Sequence, residues 1–351
     1  MVAAADFQRV DQGAVPLARL WRGGLPESAH LGHLVIADRA GIIEARGNPG
    51  AIIFPRSSCK MIQALPLLES GAAARAGLRS RHLALSCASH EGAALHVGAV
   101  SRWLKDLGLG EQDLRCGAHE PAERSERNRL IRAEEAPCQL HNNCSGKHAG
   151  FLTVTQHLRA GPEYGEYDHP LQQAIRQATA EVTEEEPAGW GVDGCSAPNF
   201  AMSLQGLARG MASFAAARQG EGGVRGDAMA RLVQAMIAHP ELVAGEGRAC
   251  TGLMRAARGR AAVKVGAEGV FVAIIPDQGI GIALKCVDGN ARAAEVALTA
   301  VLIRLGVIAA GEPLAQKWCD PVQRSWRGIE AGVLQSDPAL HLPPGRAAVG
   351  A

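Results

Sequence analysis

Two residues with complementary chemistry, Ser57 and Lys60, lie three positions apart in the segment Arg56-Ser57-Ser58-Cys59-Lys60, after Pro55. The pattern predicts a strand-to-helix junction here, and residues at i and i+3 share one face of a helix. A serine hydroxyl needs an adjacent base to become a nucleophile, and lysine serves as that base only when it is neutral. The spacing therefore suits acyl transfer through a covalent ester, with backbone N–H groups at the helix start holding the oxyanion.

The Ser-x-x-Lys spacing alone is weak evidence, because it arises by chance in most proteins of this size. The ordinary alternative is a serine that caps a helix beside a solvated lysine. Ser58 also competes with Ser57 for either role. The pair therefore needs support from elsewhere in the chain.

Two later segments supply support. Ser89 lies in the polar segment Ser86–Gly92, and Lys264 opens the strand-like Lys264-Val265-Gly266. A Ser-x-x-Lys helix start, an inserted polar loop and a late Lys-x-Gly strand follow this order in serine β-lactamase-like enzymes. The alternatives are an edge-strand charge for Lys264 and a helix cap for Ser89. Together the three segments favour an active site.

Two polar turns, Asn142–His148 and Gly191–Asn199, each lead into a predicted helix. Helix N-termini favour thiolates, so Cys144 and Cys195, with His148, are candidate zinc ligands. The spacing Cys-x-x-Lys-His is not a standard zinc motif, and two buried cysteines near helix caps are the alternative. A phosphate loop is not expected, because the upstream glycine is missing.

The elements that position these groups follow from the periodicity of apolar residues. Short apolar runs predict strands at 34–37, 42–45 and 51–54, and a β-meander at 261–265, 269–275 and 279–287. Helical spacing predicts helices at 59–70, 96–107, 123–133, 146–158, 171–182, 197–219, 226–238 and 291–305. We therefore expect an α/β fold in which an antiparallel sheet from both chain ends carries an inserted helical lobe.

This pattern predicts a single two-lobed catalytic domain over residues 1–351. The sheet is expected to come from about 15–56 and 260–310, and the helical lobe from about 57–258. A flexible tail is expected at 338–351, where the chain contains Pro343-Pro344-Gly345.

Composition excludes several classes of partner. The 351 residues include 36 basic and 35 acidic side chains, and only 4% are aromatic, so neither a nucleic-acid surface nor an anionic-membrane surface is expected. Nine irregularly spaced cysteines do not form a disulfide framework. With no signal peptide and no apolar stretch of spanning length, the expected location is the reducing cytoplasm.

Five segments in order carry a more specific resemblance, which runs from about residue 15 to about residue 332. They are similar to the rhizobial-type L-asparaginase family, the asparaginase II group, which is unrelated to the threonine-based bacterial enzymes. The five segments are Phe54–Lys60, Ser86–Gly92, Cys144–Gly150, Val192–Asn199 and Lys264–Gly269.

That resemblance implies a fold like serine β-lactamases and glutaminases, a homodimer, and hydrolysis of L-asparagine to L-aspartate and ammonia. It implies Ser57 as the nucleophile with Lys60 as its base, and a second serine-lysine tandem of Ser89 and Lys264. Two amines beside two hydroxyls repel each other's protons, so at least one lysine is expected to be neutral at about pH 8.

The resemblance also implies a ligand set and a substrate pocket. Zinc (Zn²⁺) is expected to help hold the substrate rather than to generate the nucleophile. Its ligands match Cys144, Lys147 and Cys195, with water completing the site. Asp193 is a candidate for recognising the substrate α-amine, and Arg56 is expected either to lie near the substrate carboxylate or to structure the loop. The residues matched to the substrate pocket are Arg56, His148, Asp193 and Cys250.

Two other functions compete with asparagine hydrolysis. One is an amidohydrolase of the same fold that acts on glutamine or a β-lactam, which would share Ser57 and Lys60 and differ in the pocket. The other is a non-enzymatic thiol or zinc sensor, for which Cys144 would be essential and Ser57 would not.

Overall fold

A computed structural model describes residues 10–343, and they fall into two compact units. The first, the sheet unit, comprises the residues up to Ser58, then Met202–Ala216 and the residues from Gly252 onward. The second, the helical unit, comprises Cys59–Ala201 and Ala217–Thr251. The expectation of a single two-lobed domain stays a prediction.

Eleven strands occur in the described part of the chain. Eight of them form one antiparallel sheet in the sheet unit, and three short strands pair separately. They are β1 (Val15–Arg22), β2 (Leu25–Asp38), β3 (Gly41–Arg46), β4 (Ile52–Ile53), β5 (Gly189–Val192), β6 (Pro198–Ser203), β7 (Ala262–Val265), β8 (Val270–Ile275), β9 (Ile280–Cys286), β10 (Val322–Arg324) and β11 (Glu330–Ser336).

The helices are mostly short and lie between the early and late strands. They are α1 (Lys60–Gln63), α2 (Leu65–Glu69), α3 (Ala72–Arg75), α4 (Ser80–Ser86), α5 (Ala94–Asp106), α6 (Arg124–Ala133), α7 (Ser145–Leu158), α8 (Pro170–Thr183), α9 (Leu204–Ala216), α10 (Gly223–Ala238), α11 (Pro240–Val243), α12 (Ala249–Ala256) and α13 (Ala291–Arg304). Short 3₁₀ helices span Arg56–Cys59, Glu111–Asp113, Gln139–His141, Pro313–Trp318 and Pro338–His341.

The large sheet has the order β10-β11-β1-β2-β9-β8-β7, with β3 paired to β2. All neighbours are antiparallel, and the register places Val35 opposite Ala283 and Lys264 opposite Val272. The strand β8 is buried along its whole length, so both of its faces are covered. The α/β class, with an antiparallel sheet drawn from both chain ends, is therefore confirmed.

Helix α9 packs on β2, β8 and β9 within the sheet unit. The close approach depends on Gly281, because an added Cβ there would lie 2.1 Å from the backbone nitrogen of Ala212. The sheet thus has an apolar core on its α9 face, built from side chains such as Val35 and Ala283, which share the face of Gly281, and from the apolar face of the helix.

The helical unit is built around α7, whose first eleven residues are all buried. Helices α4, α5 and α8 pack against it. Its only strands in the described residues are β5 and the first part of β6, which pair with Trp190 opposite Phe200. No helix within residues 10–343 is long and apolar enough to cross a membrane.

Some predicted elements were wrong in their bounds or type. The expected helix 59–70 is a 3₁₀ turn followed by α1 and α2, because Pro66 has no N–H and begins a new helix. The expected helix 197–219 begins as β6, because pairing with β5 overrides local helical spacing, and α9 starts only at Leu204.

The C-terminal part also differs from expectation. Strands β10 and β11 extend the sheet beyond the expected limit at about 310. Residues 338–341 of the expected flexible tail form a 3₁₀ helix, because Leu340 is fully buried and the side chain of Asp337 caps the turn. Residues 344–351 of that tail lie outside the described residues.

Candidate active site and thiol cluster

The serine segment begins the candidate site in the sheet unit. Arg56 has a left-handed backbone, with φ of 52°, and starts the 3₁₀ turn. Ser58 is fully buried, and its Oγ donates to the Pro55 carbonyl oxygen at 2.7 Å. Ser57 is half-buried, and its hydroxyl has no hydrogen-bond partner among residues 10–343. Of the two serines, Ser57 is therefore the one whose hydroxyl is available to a ligand.

Lys264 is fully buried in β7, and its Nζ donates to the carbonyl oxygen of Val265 at 2.8 Å. The strand ends at Gly266, where an added Cβ would lie 2.6 Å from the Pro55 carbonyl oxygen and 3.3 Å from the Ser58 Cβ. The structure thus brings the Lys-x-Gly segment directly against the serine segment. Only a residue without a side chain permits this approach.

Lys60 is fully buried in the helical unit. Its Nζ donates to the Ala88 carbonyl oxygen, to Ser89 Oγ at 3.0 Å and to Cys144 Sγ at 3.0 Å. The buried amine is thus held by three groups of the helical unit. The hydroxyl beside Lys60 within the helical unit is therefore that of Ser89, which the sequence analysis had assigned to the other tandem.

The segment that carries Ser89 is held by its backbone and by a histidine. The Ser89 N–H donates to the Val243 carbonyl oxygen at 2.8 Å. His90 Nε2 lies 2.9 Å from Ser145 Oγ, which itself donates to the Leu140 carbonyl oxygen, so the histidine is the donor. Burial lowers the pKa of His90 well below its ordinary value, and the neighbouring His96 lowers it further. His90 is thus a neutral support of the loop.

The three expected zinc ligands lie together in the helical unit. Lys147 Nζ donates to Cys195 Sγ at 3.1 Å, and the thiols of Cys144 and Cys195 form a hydrogen bond with each other. That bond, and secondly burial, raises the pKa of Cys144 to about 12. The same bond, aided by Lys147, lowers the pKa of Cys195 well below its ordinary value. The Cys195 sulfur is therefore held by the Cys144 thiol and the Lys147 amine.

His148 lies next to this cluster and is fixed by a residue that the sequence analysis missed. The hydroxyl of Tyr164 accepts the Arg115 N–H at 2.6 Å and lies 2.9 Å from His148 Nδ1. His148 Nε2 is buried and has no hydrogen-bond partner among residues 10–343. No motif marked Tyr164, since a tyrosine in a loop carries no diagnostic spacing.

The remaining expected pocket residues are placed as follows. Asp193 lies in the turn before Cys195, where its own backbone N–H donates to the Ala197 carbonyl oxygen at 2.9 Å. Its carboxylate interacts electrostatically with Lys147 and His148. Cys250 is buried in the first turn of α12. Asp193 therefore accompanies the cluster in the helical unit, whereas Arg56 belongs to the sheet unit.

Comparison with known proteins gives one family match and distant structural likenesses. The family described as L-asparaginase II matches residues 18–336. No curated protein sequence matches the chain. Similar solved structures include Mglu in its native form, at 15% identity and a TM-score of 0.42, covering 84% of this chain and 69% of that one.

Two β-lactamase structures are also similar at low identity. A putative β-lactamase from Bacteroides dorei has 13% identity and a TM-score of 0.42, covering 73% of this chain and 84% of its own. A β-lactamase from Mycobacterium bovis has 10% identity and a TM-score of 0.31, covering 75% and 89%. Because the family match spans nearly the whole chain, this protein belongs to the L-asparaginase II family, a group of asparaginase-type enzymes that act on small-molecule amides.

Proposed function

We propose that this protein hydrolyses L-asparagine to L-aspartate and ammonia, with Ser57 as the nucleophile. The observation that carries the proposal is the buried Lys60 amine, held between Ser89 Oγ and Cys144 Sγ. A lysine buried among a hydroxyl and thiols is costly for stability and is typical of catalytic sites. Family membership directs that chemistry toward amide hydrolysis.

The proposed reaction has two steps. In the first, Ser57 Oγ attacks the side-chain amide carbon while neutral Lys60 takes the hydroxyl proton, and the C–N bond breaks as ammonia leaves with that proton. In the second, a water molecule attacks the ester carbon, gives its proton back to Ser57 and releases aspartate. The contact of Lys60 with Ser89 supports a relay in which the hydroxyl of Ser89 carries protons to and from the amine.

The choice of Ser57 over Ser58 is supported by hydrogen bonding. The Ser58 hydroxyl is committed to the Pro55 carbonyl oxygen inside a fully buried turn, so attack would require breaking that bond first. The Ser57 hydroxyl is half-buried and uncommitted among the described residues. Gly266, directly after β7, lies against the serine segment, and we propose that Lys264, two residues earlier, helps to polarise the amide.

The thiol cluster fits a zinc ion. Two sulfurs and one amine lie within hydrogen-bond distance of each other in a buried site, and a thiolate is a preferred zinc ligand. We therefore propose Cys144, Lys147 and Cys195 as the ligands. When bound, the ion would supply positive charge beside the Lys60 amine, which contacts the Cys144 sulfur. Asp193 and the unpartnered His148 Nε2 are proposed to orient the substrate.

The test compares Ser57→Ala with Ser58→Ala as the matched control, by ammonia release from L-asparagine. We expect Ser57→Ala to lose at least about 10³-fold in kcat. Ser58→Ala is expected to keep activity within about tenfold and to lose about 1 kcal/mol of stability. Asparagine turnover that survives Ser57→Ala would contradict the assignment of the nucleophile.

A second assay separates the substrates. Ammonia release from L-glutamine under the same conditions is expected to be slower by at least about tenfold, because one extra methylene changes the position of the amide carbon. Equal or faster glutamine turnover would instead make the protein a glutaminase. The family resemblance also leads us to propose a cytoplasmic homodimer, for which sedimentation velocity measures the mass of the assembly.

A further inference from the structure

We propose that His30, Cys286 and Asp288, at one end of the sheet, form a binding site for a divalent metal ion of the zinc class. This site is separate from the thiol cluster, since all three residues belong to the sheet unit. It does not depend on the proposed function. Their candidate ligand atoms, one from each side chain, all lie within 4.8 Å of one another.

The strand register brings the three side chains together. Gly32 of β2 pairs with Cys286, the last residue of β9. Extending this register by two residues puts His30 opposite Asp288, just beyond the end of β9. Residues two apart on a strand point to the same face, which places Cys286 and Asp288 side by side with the histidine across from them. The Val287 N–H donates to the Leu31 carbonyl oxygen at 2.8 Å and continues the pairing into the turn.

Two hydrogen bonds converge on one carboxylate. His30 Nδ1 lies 2.6 Å from Asp288 Oδ2, and Cys286 Sγ donates to Asp288 Oδ1 at 3.0 Å. Burial, and secondly the carboxylate, raises the pKa of Cys286 to about 12. A thiol, an imidazole and a carboxylate are thus already hydrogen-bonded to one another. A metal ion would take the place of the protons in these hydrogen bonds.

The ring of His30 is held at one nitrogen only. Nδ1 faces the Asp288 carboxylate, whereas Nε2 is buried and has no hydrogen-bond partner among residues 10–343, so no protein group competes for a proton at Nε2. On metal binding, the Cys286 thiol proton leaves to solvent, and the ring carries its proton on Nε2 while Nδ1 coordinates. The carboxylate needs no change of protonation.

The geometry is within reach of a tetrahedral ion. Bond lengths of about 2.3 Å to sulfur and about 2.0 Å to nitrogen place the two ligand atoms roughly 3.5 Å apart. Reaching that separation needs side-chain movements of roughly 1 Å or less from the present spacing. Sulfur, nitrogen and oxygen ligands together favour Zn²⁺ or Co²⁺ over Mg²⁺ or Ca²⁺.

Access is also suitable. The side chain of His30 is 4% exposed whereas that of Asp288 is 44% exposed, so one ligand opens to solvent and leaves room for a water molecule as the fourth. Lys285, which precedes Cys286, donates from Nζ to the Glu268 carbonyl oxygen. The ion would join the end of β9 to β2 just before α13.

The experiment uses Co²⁺ as the probe in the full chain carrying Cys144→Ser and Cys195→Ser, which removes two ligands of the thiol cluster. We expect about one equivalent of Co²⁺ to bind, with a thiolate-to-cobalt charge-transfer band in the near ultraviolet. Adding Cys286→Ser is expected to abolish the band. Adding Cys319→Ser, at a half-buried cysteine outside both clusters, is the matched control and is expected to leave it unchanged.

Two outcomes would overturn the proposal. One is binding of less than about a tenth of an equivalent by a background variant whose circular dichroism is native. The other is a band that survives Cys286→Ser. If Cys286→Ser fails to fold, Asp288→Asn replaces it, because the amide oxygen can still accept the Asn290 N–H. That variant is expected to bind Co²⁺ at least about tenfold more weakly, and an unchanged affinity would also reject the site.

Discussion

Gly266→Ala tests whether β7 positions the serine segment. The new Cβ would lie 2.6 Å from the Pro55 carbonyl oxygen, and ordinary contacts of this kind begin at 3.4 Å. The strand and the segment must therefore separate by about 0.8 Å, and a misplacement of about 1 Å at reacting groups costs up to about 10²-fold in rate. We expect kcat/KM for asparagine to fall about 10- to 100-fold, equivalent to about 1.4–2.7 kcal/mol.

Stability must be measured alongside activity, because overpacking costs about 1–3 kcal/mol by itself. The matched control is Gly161→Ala, where an added Cβ meets nothing within 4 Å. We expect this control to keep both its melting temperature and its activity. Ammonia release and thermal melts monitored by circular dichroism give the two readouts. A Gly266→Ala protein with activity within about twofold of the parent would refute the positioning role.

Other predictions concern stability, metal and pH. Glu44→Gln is expected to lower the free energy of unfolding by about 3–5 kcal/mol, because it leaves Arg304, 2.7 Å away and buried, without its charge partner; an unchanged urea midpoint would contradict this. Gly281→Ala is expected to abolish soluble expression, since its Cβ would overlap the α9 backbone, and a native-like melt would disprove that. In a Cys286→Ser background, Cys195→Ser is expected to leave less than about a tenth of an equivalent of zinc by atomic spectroscopy, and zinc retained there would reject the cluster. Burial lowers the pKa of His148 well below its ordinary value, so its contribution is present above about pH 6.5 and is lost as pH falls below that, by up to about 1.4 kcal/mol per pH unit; urea titrations of His148→Asn should show a shallower loss, and an equal slope would argue against it.

The strands of the main sheet were predictable from the sequence where apolar runs were long and bounded by turns. The late meander was predicted at 261–287, and the three strands β7, β8 and β9 lie there. Strands β10 and β11 were missed, because Val322–Arg324 and most of Glu330–Ser336 are partly exposed and contain no regular apolar alternation. β11 pairs with β1, which lies some 300 residues earlier, and β10 joins the sheet only through β11, so local patterns carry no such information.

The candidate site was predictable only in part, for the same reason. The family match confirms the resemblance that selected Ser57 and Lys60, but the individual roles remain proposals. The contact between Lys60 and Ser89 depends on backbone anchors such as that of Ser89 to Val243, which no spacing reveals. Tyr164, whose hydroxyl lies 2.9 Å from His148 Nδ1, likewise acts through a tertiary contact. Local sequence identifies reactive side chains, whereas their partners are set by the fold.

The pairing of β2 with β9 has a consequence for biosynthesis. The partners of β2 on its other side, β1 and β3, are complete within the first 46 residues, but Cys286, which pairs with Gly32, is made about 250 residues later. At a translation rate of about 5–20 residues per second, the apolar edge of β2 stays unpaired in the nascent chain for roughly 12–50 s before β9 is synthesised. Nascent chains that stop before β9 should therefore be the species that chaperones bind and that aggregate first.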